Sequence, residues 1–321
     1  MNIAGQLKIN QSNHAGMNSD PKISIIIITY NRPDDMLELA ENIASLTHKE
    51  FLDEVVILNN KSTKDYKPVE DFIAGHPEIL FQYSVAEENL GVAKGRNVAA
   101  QKAKAPILVF IDDDALFQNK DALIQIQNIF AEEKNKNTGI VSFKIFYRST
   151  NDFQQNAFPH KQFEERKGWH QFDTYYFSGC SHAIRKNVFE KVGYYPDDFF
   201  YGMEEYDLSY RTLNTGFKII YDDRVTVLHK ESPSGRLASK DKLQGMWVNK
   251  VKVAWKYLPK KYFRSTAILW SWQYLRKTGW NFSGWFKGWK EISKIPKLEK
   301  KDPLSQEALA YLKKVKARLS Y

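Results

Sequence analysis

The sequence has little cysteine: Cys180 is the single cysteine among 321 residues, which excludes internal disulfide bonds. A lone thiol is consistent with a reducing cytoplasm. No stretch reaches the roughly 18 to 20 apolar residues that a membrane-spanning helix needs. The first twenty residues are polar and lack an apolar run, so we expect a loosely ordered leader over 1–21 rather than a secretory signal. These absences favour a cytoplasmic globular protein.

Basic residues and tryptophan are concentrated towards the end of the chain. The net charge is +9, yet residues 240–321 carry 20 Lys and Arg against 5 Asp and Glu, while residues 1–239 carry 27 against 33. Seven of the eight tryptophans lie in the same basic part. We therefore predict a mildly acidic body over 22–239 and a separate basic, Trp-rich, helical region over 240–321.

The body alternates short apolar runs with segments of helical spacing. The runs that predict strands are 23–29, 54–60, 80–86, 106–115, 139–147 and 219–228. The segments that predict helices are 36–46, 91–105, 185–192 and 204–214. This alternation indicates an α/β fold with a mostly parallel central sheet flanked by helices, where ligands bind at the carboxyl ends of strands. Residues 148–174 show no clear period, and we expect a mobile loop there.

Three aspartates, Asp112, Asp113 and Asp114, directly follow the apolar run ILVFI. Carboxylates at a strand end suit a hard divalent cation, because Mg²⁺ and Mn²⁺ prefer oxygen ligands. Adjacent side chains of an extended chain alternate in direction, so we expect Asp112 and Asp114 to face one way and Asp113 the other. The alternative to a metal site is a solvated acidic turn or a helix N-cap with no catalytic or binding role.

Several blocks stand in an order that resembles the family 2 inverting glycosyltransferases. They are SIIIITYNRPDDMLELAENI, EVVILNNKSTKD, ENLGVAKGRNVAAQKAKAPILVFIDDDA, FSGCSHAIRKNVFEKVGYYPDDFF and GMEEYDLSYRTLNTGFKI. The resemblance covers roughly residues 22–232 and implies a GT-A nucleotide-sugar fold for the catalytic domain over 22–239. It also implies a divalent metal cofactor, Mn²⁺ or Mg²⁺. The partners it implies are a nucleotide-sugar donor, UDP-sugar before dTDP-sugar, and a glycan acceptor.

Carried over residue by residue, the resemblance assigns ten positions to the nucleotide: Thr29, Tyr30, Asn31, Arg32, Asn59, Asn89, Gly91, Arg96, Asp112 and Asp113. Asn59 departs from the aspartate that the family usually has at the end of the second strand. An amide both donates and accepts, so the base is left open among uracil, thymine and guanine. A glycine at 91 allows close approach, and Arg96 suits a diphosphate. A solvated helix face is the alternative for Arg96.

The segment EEYDLSYR, residues 204–211, is similar to the family's acidic motif near the acceptor. Direct displacement at an anomeric carbon requires a base that takes the proton of the incoming hydroxyl. The resemblance gives this role to Glu205, where the family more often has aspartate, with Glu204 and Asp207 as neighbouring candidates. Crowded carboxylates raise each other's pKa, which suits a base. The alternative is an acidic first turn that stabilises a helix N-terminus.

The resemblance also implies a set of metal ligands, namely Asp112, Asp114 and His229, with the histidine binding as neutral imidazole. A lone histidine at a strand end is otherwise often a plain surface residue. A loop that closes over the diphosphate is expected at Ser232, Ser234 and Arg236.

Residues 243–292 interleave Trp, Tyr and Phe with Lys and Arg. Aromatic residues beside cations are typical of helices that lie in an anionic membrane interface. The resemblance agrees with this interpretation, because family members often act on lipid-linked glycans at the cytoplasmic leaflet. Packing against the body and an oligomer interface are the alternatives. No RNA- or DNA-binding motif occurs in the sequence, so we expect no nucleic-acid partner.

The sequence therefore predicts a metal-dependent hexosyl- or deoxyhexosyltransferase, peripheral at the inner face of the membrane and active in cell-surface polysaccharide synthesis. The alternative is a binding or scaffold protein that keeps the GT-A fold without catalysis. The departures at Asn59 and Glu205 motivate that alternative.

Overall fold

The computed structural model describes residues 22–231 and 239–320. The expected leader, 1–21, and the expected loop residues Ser232, Ser234 and Arg236 lie outside the described residues. Within the described ranges, one central sheet has helices packed on both faces, and further helices follow it in the C-terminal region.

Nine strands form this sheet within 22–231 and 239–320. They are β1 (Ile23–Thr29), β2 (Leu52–Asn59), β3 (Phe81–Val85), β4 (Ile107–Ile111), β5 (Ala115–Phe117), β6 (Thr138–Tyr147), β7 (Gln171–Thr174), β8 (Ser181–Arg185) and β9 (Lys218–His229). Their order is β3-β2-β1-β4-β8-β6-β9-β5, and β7 pairs with β9. All six strands that the sequence predicts are confirmed.

Strands β1 to β4 are parallel, with β1 between β2 and β4 and with β3 outside β2. The apolar run of β1 is buried on both faces, since Ile25 and Ile27 enter one hydrophobic core and Ile26 enters the other. Burial on both faces explains a continuous apolar run without polar alternation. Because the strands run the same way, Thr29 lies opposite Asn59 at the edge where β4 also ends.

This half of the sheet is parallel throughout, whereas the other half is mixed. Strand β8 pairs antiparallel with β4 and β6, and β5 and β7 pair antiparallel with β9, while β6 and β9 are parallel. Apolar runs predict strands but do not specify their direction, which depends on the connections. The antiparallel β5–β9 pair places Ala115 opposite His229. This pairing places the end of β9, with His229, near the carboxyl end of β4.

The α-helices of the described residues are α1 (Pro33–Ala44), α2 (Lys67–Ala74), α3 (Gly91–Lys102), α4 (Ala122–Ala131), α5 (Phe163–Arg166), α6 (Lys186–Val192), α7 (Glu204–Asn214), α8 (Ser239–Tyr257), α9 (Lys260–Lys277), α10 (Phe282–Leu298) and α11 (Gln306–Lys314). Short 3₁₀ helices occur at Lys49–Phe51, Glu133–Asn135 and Gln155–Ala157. The four helices that the sequence predicts in the body are confirmed as α1, α3, α6 and α7.

Residues 148–174 are packed, contrary to the expected mobile loop. They contain α5 and β7, and their phenylalanines form an aromatic cluster on β9. Within it, the rings of Phe158 and Phe163 are 5.2 Å apart edge to face, and Phe172 stacks on Tyr221 at 4.8 Å. Such pairs stabilise the fold beyond the area they bury. The segment lacks a sequence period because several short elements contribute to this one cluster.

The C-terminal region is helical, as predicted, and part of its tryptophan content is internal. Trp247 is fully buried, meets Trp289 edge to face at 5.6 Å, and donates from Nε1 to the Ala267 carbonyl at 3.1 Å. Trp272 and Trp280 are instead 53% and 51% exposed. Packing therefore explains Trp247 and leaves an exposed aromatic surface to be explained. None of the helices in the described ranges has the length and apolar character needed to cross a membrane.

Candidate active site

The three aspartates lie in a turn after β4, beside Arg32. The Ala115 N–H donates to the Asp112 carbonyl at 3.0 Å, so the chain leaves the extended conformation as soon as β4 ends. Arg32 Nη1 lies 2.7 Å from Asp113 Oδ1 and 3.1 Å from Asp114 Oδ2. The expectation that Asp113 faces away from Asp114 is therefore wrong, because strand alternation stops before these residues.

Asp113 is a buried carboxyl with one unused oxygen. Its Oδ2 has no hydrogen-bond partner among the described residues. Burial raises the pKa of Asp113 to about 7, although the Arg32 guanidinium acts in the opposite direction. A buried polar atom without a partner is costly, so this oxygen is suited to accept a hydrogen bond from a bound ligand.

His229, at the end of β9, lies against Asp114. Its Nε2 is 3.3 Å from Asp114 Oδ1, and its Nδ1 is 2.9 Å from Gln154 Oε1. Gln154 in turn donates from Nε2 to Glu231 Oε1 at 2.9 Å, which fixes the orientation of the amide. Burial lowers the pKa of His229, but Cys180 and Asp114 raise it above its usual value. The sequence did not single out Gln154, which orients His229 as partners of ligating histidines do.

Several of these side chains fit a hard divalent cation. Asp112, Cys180 and His229 bring one potential ligand atom each within 4.8 Å of one another, and Asp114 is in contact with the histidine. Carboxylate oxygens and an imidazole suit Mn²⁺ or Mg²⁺ better than a thiol does. Burial also raises the pKa of the Cys180 thiol. The residues that could hold the cation are therefore Asp112 and His229, with Asp114 beside the histidine.

Arg96, which the resemblance assigns to the diphosphate, is buried among carboxylates. Its Nη2 donates to Asp112 Oδ1 at 2.9 Å and to the Gly179 carbonyl at 2.6 Å. Its Nη1 lies 3.4 Å from Glu205 Oε1 and 3.6 Å from Glu204 Oε1. A planar guanidinium with several donors suits such a bridging position. Arg96 therefore joins the aspartate turn to the acidic start of α7.

The two glutamates that begin α7 differ in access. The side chain of Glu205 is 17% exposed and that of Glu204 is 3% exposed. A Cβ at Gly179 would overlap Glu205 Oε1, so a glycine there allows the carboxylate to approach the backbone. Met203 precedes them with a left-handed φ of 74°, a strained conformation often found at functional sites. Burial raises the pKa of both carboxyls, and Arg96 opposes this effect.

Asp207 occupies the same helix but serves a different purpose. Its Oδ1 accepts from Arg211 Nε at 2.7 Å, and its Oδ2 accepts from Lys256 Nζ at 2.9 Å and from the Tyr257 hydroxyl at 2.8 Å. Burial raises the pKa of Asp207, but these cations hold it below its usual value. With its oxygens engaged in this way, Asp207 ties α7 to α8 and does not fit a catalytic base.

The loop after β1 surrounds the hydroxyl of Tyr66, which the sequence did not indicate. This hydroxyl is 2.6 Å from Thr29 Oγ1 and accepts from the Arg32 N–H at 3.0 Å. Asn31 has a φ of 58°, and its Oδ1 accepts from a backbone N–H of the loop after β2 at 2.8 Å. Tyr30 is half-buried. The structure therefore brings Thr29 and Arg32 to the aspartate turn, whereas Asn31 fastens the two loops together.

Asn59 uses both ends of its amide within the protein. Its Oδ1 accepts from the Ser62 N–H at 2.8 Å, and its Nδ2 donates to the Tyr83 hydroxyl at 2.8 Å. One amide hydrogen and one oxygen lone pair remain for a ligand.

Asn89 and Gly91 shape the backbone at the start of α3. Asn89 Oδ1 accepts from Asn60 Nδ2 and from the Gly91 N–H, each at 3.0 Å. Gly91 has a φ of 74°, and a Cβ there would lie 2.6 Å from the Phe200 carbonyl oxygen. The glycine is therefore required by its own backbone and by Phe200, and contact with a nucleotide is not needed to explain it.

Two surface cavities lie away from this site. One of about 390 Å³ lies beside α8 and α10, and one of about 620 Å³ lies along β3 and α3. Neither is lined by the aspartate turn or by the glutamates of α7. The candidate site is therefore defined by its convergent charged groups and not by cavity size.

The parallel half-sheet carries the aspartate turn at its edge, and Arg96 joins that turn to the acidic start of α7. Residues 24–193 match the family described as Glycosyl transferase family 2, and the chain belongs to that family.

Individual relatives agree with this assignment. An uncharacterized protein of Haemophilus influenzae is 30% identical over 174 residues, which are 54% of this chain and 92% of that protein. The O-antigen chain rhamnosyltransferase WbaN of Salmonella anatum is 24% identical over 194 residues, 57% of this chain and 58% of that enzyme. Among solved structures, the mannosyltransferase PcManGT from Pyrobaculum calidifontis, in complex with GDP-Man and Mn²⁺, has a TM-score of 0.59 at 20% identity, covering 92% of this chain and 80% of that one. The predicted family and GT-A fold are confirmed.

Proposed function

We propose that this glycosyltransferase is metal-dependent and inverting, and that it moves a sugar from a nucleoside diphosphate to a hydroxyl of a glycan acceptor. The observation that carries the proposal is the position of Arg96. Its guanidinium lies 2.9 Å from Asp112 and 3.4 Å from Glu205. A donor-side carboxylate and the most accessible base candidate therefore contact one guanidinium, which supports a single displacement in which donor and acceptor meet at one place.

In this proposal the catalytic base and the cation ligands come from different parts of the chain. Glu205 takes the proton of the acceptor hydroxyl while the oxygen of that hydroxyl bonds to the anomeric carbon. The bond from that carbon to the diphosphate oxygen breaks on the opposite side, so the configuration inverts. Asp112, Asp114 and His229 would hold a divalent cation, which supplies neutralisation of the diphosphate charge when bound.

The donor that we propose first is a UDP-sugar, with a dTDP-sugar second. Thr29, Tyr30, Arg32 and Asp113 would contact the nucleoside, and Asn59 would read its base. The amide hydrogen and lone pair that remain on Asn59 complement the neighbouring N3–H and O4 of uracil or thymine. Guanine also has an adjacent donor and acceptor, so GDP belongs in the test. WbaN, an O-antigen rhamnosyltransferase, supports an acceptor in cell-surface polysaccharide synthesis.

Calorimetric titration of UDP, dTDP and GDP, each with and without Mn²⁺, tests the donor site. We expect one nucleotide to bind at least about tenfold more tightly with Mn²⁺, because the cation links the diphosphate to the carboxylates. Asp114→Asn should lose this metal dependence, while Asp121→Asn, whose carboxylate is bonded to Asn119 and Gln125, serves as the matched control. Equal affinity with and without Mn²⁺ would contradict the metal site. Metal-dependent binding without sugar transfer or donor hydrolysis would instead support the non-catalytic binding protein.

We also propose that α9 and α10 contact an anionic membrane surface. Their exposed apolar side chains include Ile268, Leu269, Trp272, Phe282 and Phe286, with Trp280 between the helices. The Trp272 and Trp280 rings are 5.5 Å apart and those of Trp280 and Phe282 are 6.2 Å apart, so these three rings lie together. Basic residues accompany it in the sequence, at Arg276, Lys277, Lys287 and Lys290. Aromatic rings with neighbouring cations fit a lipid interface, which would bring the site to a lipid-linked acceptor.

Co-sedimentation with vesicles tests the membrane proposal. We expect binding to vesicles that contain anionic lipid, weak binding to neutral vesicles, and a loss of at least about tenfold in the Trp272→Ser, Phe286→Ser double variant. Trp169→Ser is the control, because Trp169 is 44% exposed and belongs to the body. Equal partitioning of the double variant and the wild type would argue against this surface.

A further inference from the structure

Lys250 is a lysine on an otherwise apolar helix face. Residues Met246, Val253 and Tyr257 share its side of α8 and pack into the core beneath the sheet. Lys250 itself is only 4% exposed, and its Nζ lies 2.9 Å from the centroid of the Tyr206 ring. Lysine is almost never buried to this extent without a partner.

No carboxylate of the described residues lies within ion-pairing distance of this ammonium. The other lysines nearby on α8 are paired: Lys252 contacts Asp198 and Glu299, and Lys256 contacts Asp207. For Lys250, the contact with the Tyr206 ring is the one direct polar interaction that the described part of the chain shows. A cation–π contact alone compensates little of the cost of burying an ammonium. The charged ammonium is therefore costly here: the amine is either neutral, or an anion from outside the chain stabilises its protonated form.

Lys250 lies near the candidate base through its contact with Tyr206. Tyr206 directly follows Glu205 in α7, and its ring stacks on the Tyr176 ring at 4.8 Å. The exposed Arg318 acts electrostatically on Lys250 and on both tyrosines. The segment around it is fastened to the body through the Tyr311 hydroxyl, which donates to the Thr174 carbonyl at 2.9 Å.

We propose that Lys250, with Arg318 at its rim, forms an anion subsite beside Glu205 that binds an acidic group, carboxylate or phosphate, of the acceptor. This inference rests on the proposed function, because Glu205 defines the acceptor side. The donor diphosphate has its own carboxylate and histidine site at the end of β4, and no described contact links Lys250 to that turn. Two cations that act on the same place would select a negatively charged acceptor over a neutral one of the same shape.

Burial and the proximity of Arg318 hold the pKa of Lys250 well below its usual value, with Glu205 opposing. An anion that binds here stabilises the protonated ammonium. Binding should therefore take up a proton from solution at a pH where the free ammonium is partly deprotonated.

The test compares three small probes by saturation-transfer NMR and calorimetry: methyl glucuronide, methyl glucoside and inorganic phosphate. The two glycosides differ only at the carboxylate. We expect Lys250→Met to weaken binding of the acidic probes roughly ten- to hundredfold, as loss of a charged hydrogen bond does, and to leave the neutral glucoside unchanged. Lys252→Met, on another face of the same helix, is the matched control. Methionine is expected to be accommodated, because Met246 already lies on the Lys250 face.

The outcomes separate the two sources of negative charge. Glucuronide binding without phosphate binding assigns an acidic sugar, and the reverse assigns a phosphate-bearing acceptor. Acidic probes that bind Lys250→Met as tightly as wild type would overturn the subsite. If that variant does not fold, protection of Lys250 in the wild type from an amine-modifying reagent by phosphate or glucuronide decides instead, and absence of protection by either overturns the subsite. No donor is used, so a failure of the nucleotide titration is distinguishable from a failure here.

Discussion

Replacing Glu205 with glutamine is expected to lower kcat by about 10²- to 10⁴-fold, the usual contribution of a positioned general base. Glutamine keeps the size of the side chain and an oxygen that can accept from Arg96, but it cannot take the proton of an acceptor hydroxyl. Nucleotide affinity should stay unchanged, because the proposed donor-side residue Asp112 contacts Nη2 of Arg96 whereas Glu205 contacts Nη1. Single-turnover transfer and calorimetry on the same preparation measure the two effects separately.

The matched variant is Glu204→Gln, one residue earlier in α7. Glu204 is 3% exposed against 17% for Glu205, so an acceptor hydroxyl reaches Glu205 more readily. We expect Glu204→Gln to keep most of the transfer rate. A larger loss in Glu204→Gln than in Glu205→Gln would exchange the two roles. Normal turnover in Glu205→Gln would exclude Glu205 as the catalytic base.

The pH profile gives the same assignment an independent check. Burial raises the pKa of Glu205, and Arg96 acts against this shift without cancelling it. Because the base works only when it is deprotonated, kcat should rise with pH and level off above that raised pKa, which lies above the usual value of about 4.3. The residual rate of Glu205→Gln should lack this ascending limb.

Most of the first half of the sheet could be predicted from the sequence, because β1, β4 and most of β2 are buried and therefore appear as continuous apolar runs. The run before the aspartates shows this directly, since Ile107–Ile111 is buried throughout. The second half could not be predicted in direction, because β5, β8 and β9 owe their antiparallel pairing to connections that leave no local pattern. The aromatic segment 148–174 was misjudged for a related reason. Its rings meet one another across several short elements.

Within the site, the resemblance indicated most of the positions but not the contacts that decide their roles. Arg96 was expected at the diphosphate, yet three carboxylates surround it. Asp207 was a base candidate, yet Lys256 from a distant part of the chain neutralises it. Gln154, Tyr66 and Lys250 carried no signal in the sequence, because each acts through a partner remote along the chain. Tertiary electrostatics of this kind cannot be inferred from spacing alone.

Replacing Arg96 with methionine is expected to destabilise the protein by about 3–5 kcal/mol near pH 8, the range found when one partner of a buried ion pair is removed. Arg96 is 4% exposed, and its loss leaves Asp112, Glu204 and Glu205 without their shared cation. Urea denaturation in the presence of a chelator measures the effect, because a bound divalent cation would otherwise replace part of the lost charge.

Arg185→Met is the control for loss of a partly buried arginine as such. Arg185 donates to the carbonyls of Thr138 and Phe130, both at 2.9 Å, and no ion pair with a carboxylate is found for it among residues 22–231 and 239–320. Its removal should cost stability by a similar amount at every pH between 5.5 and 8.5, since no nearby carboxyl changes its charge as a result.

Arg96→Met should behave differently with pH. Without the guanidinium, the carboxyls of Glu204 and Glu205 have folded-state pKa values further above those of the unfolded chain, so the folded state binds more protons between these values. Stability then falls as pH rises through that window, and the deficit of Arg96→Met relative to wild type should shrink towards pH 5.5, where the carboxyls take up protons. A deficit that is the same at pH 5.5 and 8.5 would mean that Arg96 acts through packing and its bond to Gly179. A deficit that grows with pH would mean that one buried cation holds the donor-side aspartate and the base in their charged forms, which is the condition under which both can act.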